Sequence, residues 1–351
     1  MTNAATLVLP GHLDSRTGGY IYDRQIVDGL RAKKWAVDVK TLDDSFPRPT
    51  TSAVTHAAEV FAALPSGTVT LVDSLALGAI PEIIERHGSR LRIVALVHLP
   101  LAADVGIGED AAERIAVAEQ RALRAASLVV VTGRATLSLL ARYTLPSSRV
   151  VVIEPGTTPV ALARGSAAAQ LELLCVATLN QGKGHGDLIA ALAAVPSRNW
   201  RLTCAGSLTR HPPTVARVRA IIQECRLDDR VVLAGELGGD ALETCYDQSD
   251  LFVLATLRET YGMAVAEALA HGLPVVSTET GAIPDLVGSE AGLLVPPGNI
   301  AALTSALARF MNDADLRERL AAGARRVRPR LPGWEVAVEK MAAALTSALY
   351  E

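Results

Sequence analysis

The sequence predicts an α/β protein made of two Rossmann-like domains, each a doubly wound parallel sheet. Three observations carry that expectation. Short β-branched runs alternate with amphipathic helical runs along nearly the whole chain. The alternation pauses once, at a stretch rich in proline and glycine near the middle. The 351 residues are too many for one small core and suit two domains.

In chain order, the strand candidates of the first half lie at residues 6–9, 37–42, 68–72, 91–97, 128–131 and 150–153. Each is a short apolar run, rich in valine, leucine and isoleucine, of the kind a sheet covered on both faces requires. Helical patterns lie between most of them, as at residues 20–33 and 111–125. The segment EPGTTPVALARGSAAAQ then interrupts the pattern with Pro155, Gly156, Pro159 and Gly165. Strand candidates resume at residues 171–177, 201–205, 231–234, 251–254, 275–278 and 293–295. The expected division is an N-terminal domain over 1–155, a linker over 156–170, a C-terminal domain over 171–333 and a terminal helix over 334–351. That helix carries Val338, Met341, Leu345 and Leu349 near one stripe, so it packs on something.

Half of the residues are hydrophobic and 20% are charged, a globular and not a disordered composition. A net charge of -3 gives no reason to expect nucleic acid as a partner. The N-terminus lacks a basic region followed by a long apolar run, so no signal peptide is expected. No apolar stretch reaches the ~18 residues a membrane span needs. Cys175, Cys204, Cys225 and Cys245 form no C-x-x-C pair, so spacing suggests neither zinc nor a disulfide framework. Reduced, buried cysteines in a cytoplasmic protein are the simple expectation.

The most informative stretch reads RETYGMAVAEALAHGLPVV over residues 258–276. It places Glu259 in a loop, Gly262 at a helix start and Glu267 inside the helix. The amides at Gly262, Met263 and Ala264 would sit at the positive end of that helix, where unpaired N–H groups favour a phosphate. Gly262 lets a ligand approach the backbone closely. A carboxylate can accept hydrogen bonds from two neighbouring hydroxyls. The junction, including Thr260 and Tyr261, therefore offers a diphosphate seat flanked by hydroxyl-binding groups, the polarity of a sugar nucleotide. The structural alternative is a capping Glu259 and a solvated Glu267.

Other loops after strands add to this. Lys183 lies among glycines in the run from Thr178 to His185, where a fixed cation would stabilise charge growing on a leaving diphosphate. Gly18 and Gly19, after the first strand, permit close approach at a helix start, or form a turn capped by Thr17. No G-x-G-x-x-G accompanies them, which disfavours a nicotinamide dehydrogenase. His98 ends the strand LRIVALVH, Glu236 follows VVLAG, and Asp285 follows the small-residue loop Thr280-Gly281-Ala282. Arg325, Arg326, Arg328 and Arg330 form a basic cluster read as solvated surface, with anionic lipid or an acidic acceptor as the alternative. No D-x-D or histidine-rich tract calls for a metal.

These residues resemble the E-x7-E signature of the retaining glycosyltransferases of family 4, which have the GT-B fold. The likeness runs on through GLPVVSTETGAIPDLV. The resemblance implies two Rossmann-like domains facing across a cleft, with the terminal helix crossing back to the N-terminal one. It implies that Glu267 holds the ribose hydroxyls and Glu259 a sugar hydroxyl. Lys183 and the amides near Gly262 would take the diphosphate, while His98 orients the sugar. His98, Lys183 and Glu259 are thus the implied catalytic residues. Gly18, Gly19, Thr178, Glu236, Thr260, Tyr261, Gly262, Met263 and Glu267 join Lys183 in donor binding. Thr178 stands where the family has an arginine, and Arg258 and Arg210 are candidates for the missing charge. The implied reaction moves a hexose from a nucleotide diphosphate sugar to an acceptor hydroxyl with retention and without metal. The acceptor would be a small metabolite or a saccharide, no cofactor is called for, and peripheral membrane contact is not favoured. A catalytically weak sugar-nucleotide-binding protein or partner subunit is the alternative, and a nucleotide-sugar 2-epimerase of similar fold the second.

Overall fold

A computed structural model describes residues 3–166 and 168–350. Among the described residues, twelve strands form two separate six-stranded sheets, and every strand pairing is parallel. The first sheet holds β1 (Ala4–Pro10), β2 (Ala36–Leu42), β3 (Val69–Asp73), β4 (Arg92–Val97), β5 (Leu128–Val131) and β6 (Val150–Val152), in the order β2-β1-β3-β4-β5-β6. The second holds β7 (Leu171–Val176), β8 (Trp200–Ala205), β9 (Val231–Gly235), β10 (Leu251–Leu254), β11 (Val275–Thr278) and β12 (Gly292–Val295), in the order β12-β11-β10-β7-β8-β9. All twelve strands expected from the periodicity are present, with ends that move by a residue or two.

Parallel strands need crossover helices, and helices on both faces bury the sheet on both sides. Central strands are accordingly unbroken apolar runs. Every residue of β3, β5, β10 and β11 is buried. The edge strand β2, AVDVKTL, alternates instead, because one of its faces meets water. The core of the second sheet is built around Trp200, Phe252 and Phe310, all fully buried. That of the first is built around Phe61, Val72, Ile84 and Ile93.

The chain divides into two compact units, residues 1–156 with 333–351, and residues 157–332. The stretch read from sequence as a linker over 156–170 is therefore mostly part of the second unit. Arg164 pairs with Asp247 through its guanidinium and backbone, and the amides of Ala163 and Ser166 bond to the His271 carbonyl and the Asp250 carboxylate. Proline and glycine remove helix and strand here, but the chain still satisfies its backbone groups on a neighbour.

The helix Trp334–Tyr350 belongs to the first unit and lies on the helix Gly18–Ala32. Val338, Met341 and Leu345 are buried, whereas Leu349 is half-buried and Ala348 takes the last inward place. The two helices approach closely because Gly29 has no side chain. A Cβ there would stand 2.2 Å from Val338 Cγ2. Trp334 sets its ring edge-on to Tyr22 at 5.8 Å, and the Tyr22 hydroxyl donates to the Ile153 carbonyl at 2.9 Å.

Candidate functional site

In the second sheet the chain runs outward from β7 to β9, then returns to start outward on the other side with β10. The loops after β7 and β10 therefore leave neighbouring strands toward opposite faces and open a crevice at their carboxyl ends, where open α/β sheets bind ligands. The β7 loop carries Thr178 and Lys183, and the β10 loop carries Glu259. The two loops are stitched together. The Gly182 carbonyl accepts from the Leu257 amide at 2.7 Å and from the Thr256 hydroxyl at 3.1 Å. Asn180 caps the 3-10 turn Gln181–Lys183 by accepting from the Lys183 amide at 3.1 Å. Gly184 follows at φ 65°, and a Cβ on it would collide with the Ala255 carbonyl. With the loops locked this way, the Lys183 ammonium donates to Glu259 Oε2 at 2.6 Å. Both side chains are mostly shielded, 26% and 15% exposed, so the pair is stronger than a surface bridge.

Beyond Glu259 the chain turns into the helix Met263–Ala270 through Gly262 at φ 98°, a conformation that favours glycine. Among the described residues no side chain caps this helix, which leaves its first amides and its dipole open. Gly281, at φ 60°, lets the next loop close on this one, since a Cβ would stand 2.4 Å from the Glu259 carbonyl. Thr260 is buried and its carbonyl accepts from the Ala282 amide. Tyr261 is buried in a small apolar cluster with Ala266 and Ala282, so its ring serves packing. Met263 packs partly buried against the same cluster. Glu236, Arg258, Arg210 and Asp285 are exposed.

Glu267 is not a solvated helix residue. Its Oε2 accepts from the Tyr246 hydroxyl at 3.0 Å. The Tyr246 ring stacks on His271 at 4.5 Å between centroids. Burial raises the Glu267 carboxyl to about 7; the Tyr246 hydrogen bond works against that rise and the charge of Glu243 adds to it. Tyr246 was missed in the sequence, because 21 residues and a strand separate it from its partner.

In the first unit the strand order reverses between β1 and β3. Gly18 and Gly19 open the helix after β1, with Thr17 at its N-cap but making no side-chain cap bond. His98 directly follows β4. Its Nε2 lies 3.0 Å from Asp23 Oδ1 and 3.5 Å from Asp73 Oδ2. Gly19 lies against the ring, where a Cβ would be 3.1 Å from Cδ2, and Tyr22 meets it edge-on at 5.3 Å. Burial pushes Asp73 up to about 7, reinforced by the charge of Asp23. Burial also opposes the His98 imidazolium, but the two carboxylates outweigh it and hold the His98 pKa above its usual value. Asp23 Oδ2 is buried without a hydrogen-bond partner among the described residues. Asp23 and Asp73 were not singled out in the sequence. The available signal was an acid four residues after Gly19, one helical turn away, and an acid ending the strand VTLVD.

The loop after His98 is held by Glu119, which accepts from the amides of Leu101 at 2.5 Å and Ala102 at 3.0 Å and from the Tyr143 hydroxyl at 2.6 Å. The basic cluster has a structural use. Arg326 and Arg330 both pair with Glu290, and Arg328 donates to the Val160 carbonyl. Among the described residues no helix is long and apolar enough to cross a membrane.

Residues 164–327 match the family model for glycosyl transferases group 1. The chain is 29% identical over 243 residues to a D-inositol 3-phosphate glycosyltransferase of Xylanimonas cellulosilytica, across 64% of this chain and 58% of that one. The chain spans about half the length of several curated relatives it matches. Among solved structures, sucrose-phosphate synthase (tll1590) from Thermosynechococcus elongatus superposes with a TM-score of 0.81 at 22% identity, covering 99% of each chain. Anabaena Alr3699/HepE, solved in complex with UDP and glucose, does so with a TM-score of 0.76 at 18% identity, covering 98% of this chain and 100% of that one. At these identities the likeness establishes the fold, two parallel sheets of the GT-B type. The chain thus has the GT-B fold, and its residues 164–327 are similar to glycosyl transferases group 1.

Proposed function

We propose that the protein is a retaining, metal-independent glycosyltransferase that moves a hexose from a nucleotide diphosphate sugar to a hydroxyl of a small metabolite or saccharide. The observation that carries the reading is the Lys183–Glu259 pair at the reversal point of the second sheet, beside the uncapped helix start at Gly262. A diphosphate placed there meets a cation and unpaired amides, while Glu259 and Glu267 accept from sugar and ribose hydroxyls. As the glycosidic bond lengthens, charge grows on the leaving diphosphate, and a preorganised Lys183 stabilises it without reorganisation. Lys183 and the helix amides are proposed to do the electrostatic work that a divalent ion would otherwise do. His98, flanked by Asp23 and Asp73, is proposed to hydrogen-bond sugar hydroxyls. The matched region supports glycosyl transfer as the class of chemistry.

A second reading, a sugar-nucleotide-binding protein without turnover, is favoured by Thr178 in the place of the family arginine. One experiment separates the two. Thermal melts with a panel of nucleoside diphosphates and their sugars identify a donor by its stabilising shift. Release of the diphosphate from that donor is then followed with a panel of acceptors. A shift lost in Glu267→Ala together with acceptor-dependent release supports the transferase. A shift with no release from any acceptor supports the binding protein. The absence of any shift overturns both.

A further inference from the structure

We propose that Cys175, Cys204 and His185 form a buried binding site for one thiophilic divalent cation of the zinc type, separate from the residues assigned to the donor. Cys175 and Cys204 are register partners on the neighbouring parallel strands β7 and β8. Register partners in a parallel ladder project to the same face. Their sulfurs therefore stand side by side under the helix His185–Ala194. His185 is the first residue of that helix, delivered over the sheet by the left-handed turn at Gly184. Its Nε2 lies 3.8 Å from the Cys175 sulfur, and the three donor atoms all fall within 4.8 Å of one another.

The 3.8 Å between His185 Nε2 and the Cys175 sulfur is the separation one shared ion demands. Zinc holds sulfur at ~2.3 Å and imidazole nitrogen at ~2.0 Å, so tetrahedral ligand atoms are ~3.5–3.8 Å apart. The donor set, two sulfurs and an imidazole, is the soft set that selects zinc-type ions over magnesium or calcium. Two thiolates and a neutral imidazole balance a divalent charge, which makes the assembly neutral in an interior where a net charge is costly. Cys175, Cys204 and His185 are 1%, 0% and 2% exposed. Among the described residues the only hydrogen-bond contact of the His185 ring is that of Nε2 with the Cys175 sulfur, and Nδ1 is buried without a partner. A metal would take Nε2, the nitrogen nearest the Cys175 sulfur, in place of that weak sulfur contact. The bound ion would tie β7, β8 and the first turn of the helix together, two residues from Lys183. The proposal rests on this geometry alone and stands whether or not the protein transfers sugar.

The test uses the full-length protein, reduced, refolded with Zn2+ or Co2+ and freed of loose metal by a chelating resin. The expected result is one zinc ion retained per chain, a higher melting temperature with metal than without, and a sulfur-to-cobalt charge-transfer band in the near ultraviolet. Cys204→Ala and His185→Ala are each expected to weaken retention at least about tenfold. The cobalt band is read on wild-type protein, so the outcome does not depend on the variants folding. Retention of no ion overturns the proposal. So does full retention in the Cys175→Ala/Cys204→Ala protein, which places the ion elsewhere. A Cys175–Cys204 disulfide found by mass spectrometry in protein prepared with excess zinc under reducing conditions overturns it as well.

Discussion

Glu267 ties stability to pH and, under the proposed function, to donor binding. Its proton is held to about pH 7 in the folded protein, whereas the unfolded chain loses it in the ordinary carboxylate range. The native state therefore binds more protons between those limits, and this residue's contribution to stability falls as pH rises through them. Glu267→Gln removes that dependence. The variant is expected to melt with wild type near pH 4 and above it at pH 8, and thermal melts at the two pH values check this. Under the proposed function, donor affinity is expected to move the other way in wild type. It rises as pH passes about 7 and the carboxylate becomes acceptor-only, and binding titrations of Glu267→Gln lose this slope and are ~10–100-fold weaker at pH 8. At Lys183, Lys183→Ala is expected to lower kcat by ~10²–10³ through loss of the cation facing the leaving group. Steady-state kinetics with an identified donor measure it, and an unchanged kcat removes Lys183 from the mechanism. The Glu259 and Glu267 positions and Lys183 were legible in the sequence as carboxylates about a helix start and a lysine among glycines. Tyr246, Asp23 and Asp73 were not, because each acts on a partner from another element.

At the scale of elements, the loops that carry the site are shaped by glycines that differ in what surrounds them. Gly184 and Gly67 share a left-handed backbone, at φ 65° and 83°. A Cβ on Gly67 meets nothing within 4 Å, whereas one on Gly184 lies 1.9 Å from the Ala255 carbonyl. Gly67→Ala is therefore expected to cost only the ~1–2 kcal/mol of the left-handed conformation. Gly184→Ala adds a collision with backbone, so it is expected to cost more than Gly67→Ala and to part the β7 and β10 loops. Denaturant unfolding of the two variants compares the costs, and loss of donor-induced stabilisation in Gly184→Ala reports the displaced lysine. Strand runs and helix runs were readable because their periods differ. The close approach of two loops was not, since a glycine in sequence says that a turn is allowed and not which carbonyl will sit over it.

For the whole molecule, the division into units follows burial and not chain order. The terminal helix completes the first unit by covering the helix Gly18–Ala32, with Met341 fully buried. Met341→Ala is expected to destabilise that unit by ~2–5 kcal/mol. Removing residues 334–351 altogether uncovers Tyr22 and the helix face around Gly29, and is expected to leave the first unit open to proteolysis. Residues 157–332 carry their own core and all of the proposed donor residues outside Gly18, Gly19 and His98. Limited proteolysis of the truncated chain is expected to yield this fragment intact, and a donor-dependent melting shift in it supports a self-contained donor site. Simultaneous digestion of both units removes that expectation.

The sequence by itself determined the fold class, the twelve strands, the interruption near residue 156 and the loop-to-helix junction at Gly262. These are local properties, written in periodicity, in turn residues and in the chemistry of one contiguous stretch. Only the tertiary structure decided strand order and register, and with them which distant groups meet. The reversal of order between β7 and β10 sets Lys183 against Glu259 across 76 residues. The register of β7 with β8 sets Cys175 beside Cys204, where no C-x-x-C spacing announced a pair. The physical reason is the same in each case. Parallel pairing is settled by how whole faces bury against their helices, a sum over many residues that no single segment of chain contains.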